Sequence, residues 1–193
     1  MTIKIFLGVI GSGKSFRSQQ LVDQGYEKIS VADPMRETLW KILGWKPQTD
    51  EEYQAFKRYN LLDVPQFHHI TGRSVLQNIG ETFKDLFGRD YWAKTWYKAV
   101  IRRYMYIPWE ELNQNIVCDD VRFPEEVNEA LRMKEDGNEV DFIFCDYNSD
   151  RYNPSNVHIS ERYAQAILAL NKYKDGDAID IKDLKIINKL FYE

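Results

Sequence analysis

Ile3, Ile5, Phe6 and Leu7 crowd β-branched and aromatic residues into one short run that passes directly into Gly8, the pattern of a buried strand ending in a tight turn. From Lys14 to Val22 apolar residues recur at roughly helical spacing and stop before Gly25, a residue suited to terminating a helix. Lys28 to Ala32 predicts a second strand. Asp33 then reads as an N-cap acid before Pro34 at the first helical position, and Met35, Leu39, Ile42 and Leu43 keep helical spacing up to Gly44. Trp45 to Ile70 is polar and aromatic, broken by Pro47 and Pro65, and reads as an insertion with a short helix within Glu51 to Leu62. Ser74–Phe87 and Tyr91–Tyr104 carry apolar residues at i, i+3 and i+4 on either side of Gly88-Arg89-Asp90, hence two helices joined by a turn.

Asn115 to Cys118 predicts a third buried strand that exits into Asp119-Asp120, followed by a helix over Pro124–Lys134 closed by Gly137. Glu139 to Tyr147 predicts a fourth strand and Asn148 to His158 a polar loop. Ser160 is placed to cap a helix running to Leu170, Ala178–Ile181 predicts a fifth strand, and Asp183–Leu190 a last helix. Strands alternating with helices imply an α/β fold with a mainly parallel, five-stranded sheet covered on both faces. No internal repeat or low-complexity tract interrupts the alternation.

The chain of 193 residues, 44% hydrophobic and 29% charged, suits one domain with a core large enough to fold alone. Its 26 basic and 30 acidic residues give a formal charge of −4, so nothing global draws it to nucleic acid or to an anionic membrane, and any polyanion must be bound locally. No apolar run approaches the roughly 20 residues that span a bilayer. The amino terminus has neither a charged n-region nor a long apolar h-region, so the expected location is cytoplasmic. Cys118 and Cys145 each lie inside an apolar stretch, which favours free buried thiols over a disulfide or a zinc site.

The strongest chemical signal is Gly8-Val9-Ile10-Gly11-Ser12-Gly13-Lys14-Ser15. It fits G-x-x-x-x-G-K-[ST] and lies between a predicted strand and a predicted helix, the context a phosphate-binding P-loop requires. Glycines let successive backbone N–H groups turn inward toward phosphate oxygens, and a helix N-terminus adds a favourable dipole. Lys14 is then expected on the β and γ phosphates and Ser15 on Mg²⁺. Gly8, Gly11, Ser12, Gly13, Lys14, Ser15 and Phe16 form the expected nucleotide-phosphate site. The bland alternative, a glycine-rich turn with an incidental lysine, leaves a cation at a strand exit without a partner. A guanine-reading N-K-x-D segment is absent from the sequence, and large nucleotide-driven machines need longer chains, so a small kinase is the reading that remains.

Further along the chain stand Ala32-Asp33-Pro34-Met35-Arg36-Glu37, Gly72-Arg73-Ser74-Val75-Leu76-Gln77, Phe87-Gly88-Arg89-Asp90-Tyr91-Trp92, Asp120-Val121-Arg122-Phe123-Pro124-Glu125-Glu126 and His158-Ile159-Ser160-Glu161. Taken with the P-loop, in this order and over nearly the whole chain, these segments resemble the bacteriophage deoxynucleoside monophosphate kinases, members of the P-loop nucleoside monophosphate kinase group. The sequence departs from that pattern in the insertion between Trp45 and Ile70, which carries no family motif, and in the second acid, Asp119, before Asp120.

The resemblance implies a three-layer α/β/α P-loop kinase fold in one domain over residues 1–193. Within it, about 34–112 would form a helical acceptor-binding insertion and about 147–160 a short lid. It also implies transfer of the γ-phosphoryl group of ATP, with Mg²⁺, to the 5′-phosphate of a deoxynucleoside monophosphate. Donor and acceptor are both anions, so arginines are needed to bring them together, and the acceptor phosphate is already ionised, so no general base is required. Arg73 and Arg36 are the expected acceptor-phosphate clamps. Gln77, one helical turn beyond Arg73, would reach sugar or base, and Trp92 with Tyr91 would stack on the base unless they belong to the core. Asp33 stands at a strand exit, where ligands bind in parallel sheets, although a cap role explains it equally.

One of Asp119 and Asp120 is expected in the Mg²⁺ shell, since strand alternation sends them to opposite sides, and the motif selects Asp120. Arg122 either contacts phosphate or pairs with that acid, and Arg151 is the expected lid arginine. Lys14, Arg73, Arg122 and Arg151 thus form the expected catalytic set, each of the arginines having a solvated surface charge or ion pair as its structural alternative. His68, His69 and His158 are not grouped as metal ligands, and Arg102-Arg103 reads as a solvated helix end. Small-molecule substrates are the expected partners, and a homodimer is compatible with the sequence. Competing readings are a P-loop kinase for another small acceptor, such as dephospho-coenzyme A or phosphomevalonate, and a nucleotide-binding regulator without transfer.

Overall fold

The structure, a computed structural model, describes residues 1–58, 70–106, 115–146 and 161–192, with the backbone alone for 102–106. Among them, four strands and eight helices form a mixed α/β fold on a parallel sheet. In chain order the elements are β1 (Thr2–Leu7), α1 (Lys14–Asp23), β2 (Glu27–Lys28), α2 (Asp33–Leu43), α3 (Asp50–Arg58), α4 (Gly72–Phe87) and α5 (Tyr91–Tyr106). They continue with β3 (Asn115–Cys118), α6 (Pro124–Glu135), β4 (Glu139–Phe144), α7 (Arg162–Ala169) and α8 (Ile181–Tyr192). The sheet order is β2-β3-β1-β4, with every pairing parallel. Ile5 of β1 stands opposite Cys118 of β3 and Phe142 of β4.

Period-two alternation divides β1 between two layers. Ile3, Ile5 and Leu7 join Ile116, Val140, Phe142 and Phe144 in the main core, which is closed by Trp96 and Val100 of α5, Val127 and Met133 of α6, Tyr163 and Ile167 of α7 and Leu184 and Ile187 of α8. Phe6 and Val117 project to the other face, where Leu21 and Val22 of α1 and Tyr26 cover them. Both faces of the sheet are therefore covered, as the near-continuous hydrophobic strands anticipated. Cys118 and Cys145 are free and buried. No helix among the described residues is long and apolar enough to cross a membrane.

The expected fifth strand is corrected. Ala178 makes only an isolated antiparallel bridge to Ile143, supported by the Ile179 N–H donating to the Phe142 carbonyl at 2.8 Å. The extended stretch ends at once because the Asp180 carboxylate takes the Lys182 N–H at 2.8 Å, the interaction that starts a helix. β2 is also shorter than Lys28–Ala32. Ile29 still donates to Val117, but the chain then turns as the Asp33 N–H donates to the Ser30 carbonyl and the Asp33 carboxylate accepts from the Ser30 N–H at 2.7 Å. Asp33 is accordingly the first residue of α2 rather than its cap. β4 ends at Phe144 rather than Tyr147, after which Cys145 still donates to Leu7 at 2.8 Å.

Helices α2 to α5 lie between β2 and β3 in the chain. Leu39, Trp40, Phe56 and Leu76 form a second buried cluster that locks α2, α3 and α4 together. The buried Trp92 Nε1–H donates to the Gly80 carbonyl at 3.0 Å, joining α5 to α4. Trp96 donates in the same manner to Ile29 at 3.2 Å and ties α5 to the sheet edge. α3 starts at Asp50, one residue before the range 51–62 expected to hold a short helix, of which 59–62 fall outside the described residues.

Candidate functional site

The loop between β1 and α1 is shaped by its glycines. A Cβ on Gly8 would lie 2.3 Å from the Cys145 carbonyl oxygen and 2.5 Å from the Ser12 hydroxyl, so no side chain fits there. Gly11 and Gly13 hold φ of 81° and 86°, the left-handed region that other residues enter at a cost. Gly13 is the N-cap of α1 and no side chain caps that end. Among the described residues the first-turn amides have no side-chain acceptor, as an anion-binding helix start requires. Ser15 and Phe16 are exposed on this turn. Lys14 folds back over the loop, its ammonium donating to the Gly8 and Val9 carbonyls at 2.6 and 2.7 Å. Burial lowers its pKa, and among the opposing charges Glu161 acts most strongly.

Glu161 is 8% exposed and places an anion on this loop. Its Oε2 accepts the Ile10 N–H at 2.6 Å, and its Oε1 lies 3.4 Å from the Arg122 guanidinium. A carboxylate thus rests between a loop amide and an arginine, two groups of the kind that bind phosphoryl oxygens. The H-x-S-E segment contained this residue, but its role needed the fold to bring it across to Ile10.

The two acids after β3 diverge. Asp119 is buried and accepts from Lys28 at 2.7 Å, and its charge acts on Lys14 and Cys145. Asp120 accepts the Val31 and Ala32 N–H groups at 2.8 and 3.2 Å and lies 3.9 Å from Arg36. Its charge acts on Arg36, Asp33 and Glu126. Both Asp120 oxygens brace the turn that starts α2, whereas Asp119 is committed to Lys28 and its charge reaches Lys14 of the β1–α1 loop only weakly.

Beside that turn opens a cavity of about 340 Å³. Five of the expected substrate residues line it, Arg36, Arg73, Gln77, Trp92 and Asp120, together with Arg122 of the expected catalytic set. Arg73 and Gln77 are exposed one turn apart on α4, whose start is fixed by reciprocal bonds. Thr71 Oγ1 accepts from the Ser74 N–H at 3.2 Å, and Ser74 Oγ accepts from the Thr71 N–H at 2.9 Å. Trp92 offers the cavity an edge only, since it is 7% exposed and its indole is committed to Gly80. Tyr91 is not in the lining and packs on Phe83 and Phe87 instead. Asp33 acts indirectly by holding Arg36 at 2.7 Å, and burial raises its pKa.

Tyr53 and Lys57 of α3, with Lys84, Phe123 and Glu126, also line the cavity and were not singled out from the sequence. Phe123 and Glu126 stood within the D-V-R-F-x-x-E segment, whereas Tyr53 and Lys57 fell in the stretch without a motif. Glu126 is buried and accepts the Arg122 and Phe123 N–H groups at 2.5 and 3.1 Å. Burial nevertheless pushes its pKa up to about 8. Arg151, the stretch 147–160, His68, His69 and His158 lie outside the described residues, as do the side chains of Arg102 and Arg103. Among the described residues no group of three or more His, Cys, Asp or Glu could hold a metal ion. Neither a family model nor a curated protein matches the chain.

Proposed function

We propose that the protein is a P-loop deoxynucleoside monophosphate kinase of three-layer α/β/α design, in which α2 to α5 carry the acceptor and the β1–α1 loop carries ATP. One observation supports this reading above the others. Arg122 lines the cavity that holds Arg36, Arg73 and Gln77, and the same side chain pairs with the carboxylate that sits on the Ile10 amide. Its charge also acts on Lys14. An anion seated on the loop and an anion seated in the cavity would therefore share one guanidinium between them, the arrangement that in-line transfer between two phosphates needs. A regulator that only bound ATP would have no use for the second set of arginines.

In this reading the Lys14 ammonium, now held by the Gly8 and Val9 carbonyls, moves to the β and γ phosphates. Arg73 and Arg36 fix the acceptor phosphate, and Arg122 stabilises charge on the transferring group. The exposed Ser15 hydroxyl and the acid on the loop side, Asp119, suit a magnesium ion held mainly by the phosphates themselves, where it would neutralise charge. Aromatic and amide groups, not a dense set of base-reading bonds, face the acceptor base, so several bases should be accepted.

The test is a coupled assay of ADP formation with dAMP, dGMP, dCMP, dTMP and their ribose counterparts under identical conditions. The expected result is turnover of at least two deoxynucleotides with one dNDP formed per ADP. ATP binding without transfer to any monophosphate would reject the kinase reading.

A further inference from the structure

The contact between α3 and α4 has a consequence one residue further along each helix. A Cβ on Gly72 would lie 2.3 Å from the Phe56 carbonyl oxygen and 2.4 Å from its ring, so the first residue of α4 is pressed directly onto α3. Phe56 is buried in the cluster with Leu39, Trp40 and Leu76, which prevents the two helices from sliding apart. The residues that follow this contact, Lys57 and Arg73, both line the cavity. Arg36 reaches it from α2.

Three cations thus converge on one concavity, and they are unequally partnered. Arg36 is held by Asp33 at 2.7 Å and Asp120 at 3.9 Å, yet its buried Nε has no hydrogen-bond partner among the described residues. Lys57 has a long contact of 3.4 Å to the neutral Gln54 amide oxygen. No carboxylate among the described residues comes within ion-pair distance of Lys57 or Arg73. The Tyr53 ring contacts two of the charges, 4.0 Å from the Lys57 ammonium and 5.4 Å from the Arg36 guanidinium. That aromatic face eases the repulsion without neutralising either cation. Burial first, then the charges of Arg36 and Arg73, lower the Lys57 pKa. A cluster of like charges at the capped start of a 16-residue helix is costly until an anion enters, and the helix dipole favours the same ligand.

We propose that Lys57, Arg73 and Arg36 form a three-cation seat for the doubly charged terminal phosphate of the acceptor, and that α3 is therefore part of the acceptor site. The proposal rests on the kinase reading for the identity of the acceptor and deepens it. A dianionic phosphomonoester is the ligand of choice, because it accepts from three donors at once and its two negative charges match Lys57 and Arg73, the two cations with no carboxylate at ion-pair distance among the described residues. Tyr53 positions Lys57 and Arg36 through its contact with both. Nucleosides without a phosphate lack the group this seat binds.

Calorimetric titration with dAMP, dTMP and their parent deoxynucleosides, on the full chain and its variants, tests the seat without requiring turnover. Lys57→Gln should weaken monophosphate binding about tenfold, leave ATP affinity within twofold, and bring monophosphate and nucleoside affinities closer together. Lys57→Arg should restore binding to within about threefold of the parent chain. In the parent chain a bound monophosphate should raise the Lys57 pKa, read by NMR of the labelled ammonium, which a bystander lysine would not do. Unchanged monophosphate affinity in Lys57→Gln, with Arg73→Ala still weakened, would overturn the seat and leave the kinase reading intact. Weakened binding in Lys57→Gln by a chain that transfers no phosphate would end the kinase reading and keep the seat. No binding of either monophosphate to the parent chain would reject both.

Discussion

Replacing Glu161 by Gln should tighten ATP binding, an unusual direction for the loss of a buried charge. The carboxylate accepts the Ile10 N–H at 2.6 Å and lies 3.4 Å from Arg122, so a phosphate arriving on the loop must compete with it for both groups. A hydrogen bond to a charged group contributes about 1.5–3 kcal/mol, against about 0.5–1.5 kcal/mol for a neutral one. Gln keeps an acceptor for Ile10 but only at the neutral strength. The Arg122 side chain is 42% exposed, so its share of the lost attraction is small, within about 1 kcal/mol. The competitor is therefore weakened by about 1–2 kcal/mol, which converts to ATP binding tighter by about 5–30-fold. Lys14 keeps its charge in that complex, because the phosphates replace the anion that Glu161 supplied.

Calorimetry with ATP, ADP and adenosine reads the effect, and adenosine serves as the internal control because it carries no phosphate. ATP should tighten most and adenosine not at all. Circular dichroism and thermal unfolding establish that the variant is folded. A merely structural role for Glu161 predicts the opposite sign, with a loosened loop and weaker nucleotide binding. Weaker or unchanged ATP affinity in a natively folded Glu161→Gln protein would refute the competition argument.

Lys14→Ala should nearly abolish phosphoryl transfer with the fold retained, since it removes a cation from the phosphates where transition-state charge gathers; most of kcat surviving in a chain with a native spectrum would exclude the loop from the chemistry. Gly8→Ala should destabilise the protein, because the new Cβ would sit 2.3 Å from the Cys145 backbone oxygen and overpacking costs about 1–3 kcal/mol. At about 2–4 °C per kcal/mol for a chain of this size, a fall in Tm of less than 2 °C would show that the loop yields easily. Burial holds the Glu126 pKa at about 8, above its unfolded value, so the folded chain binds one more proton between the two values. This contribution to stability is complete below about pH 4.5 and declines as pH rises toward 8. Glu126→Gln, which still accepts from the Arg122 and Phe123 amides, should flatten the denaturation profile across that window, and an unaltered slope from pH 5 to 8 would place the titration elsewhere.

The turn between β1 and α1 was legible because its conformation is local: Gly11 and Gly13 hold positive φ and α1 starts at Lys14, all within eight consecutive residues. The helices were legible for a related reason, since their apolar spacing is itself the packing face. The fifth strand failed because four residues with an apolar alternation look the same whether they pair along a ladder or touch β4 at one bridge, and only Asp180 decides that the chain turns into α8. Asp33 failed similarly. An acid before proline fits an N-cap, but the side chain reaches back to Ser30 and the helix begins one residue earlier. Tyr53 and Lys57 had no local signal, because their place at the cavity follows from Phe56 meeting Gly72 across the sequence between α3 and α4.

Under the kinase reading the exit of β3 serves two anion sites from one stretch of chain. Asp119 turns toward Lys28, while Asp120 turns toward the Val31 and Ala32 amides before α2 and toward Arg36. Two residues later Arg122 spans the gap, lining the cavity with its guanidinium near Glu161. Its backbone N–H is held by Glu126 from the first turn of α6. The strand fixes where the acids begin, pleating separates them, and the helix start fixes the arginine between them. Moving any of the three would shift both sites together. Under the kinase reading this is why donor and acceptor can be brought to one distance by a segment of seven residues, Asp120 to Glu126, rather than by two independently placed halves.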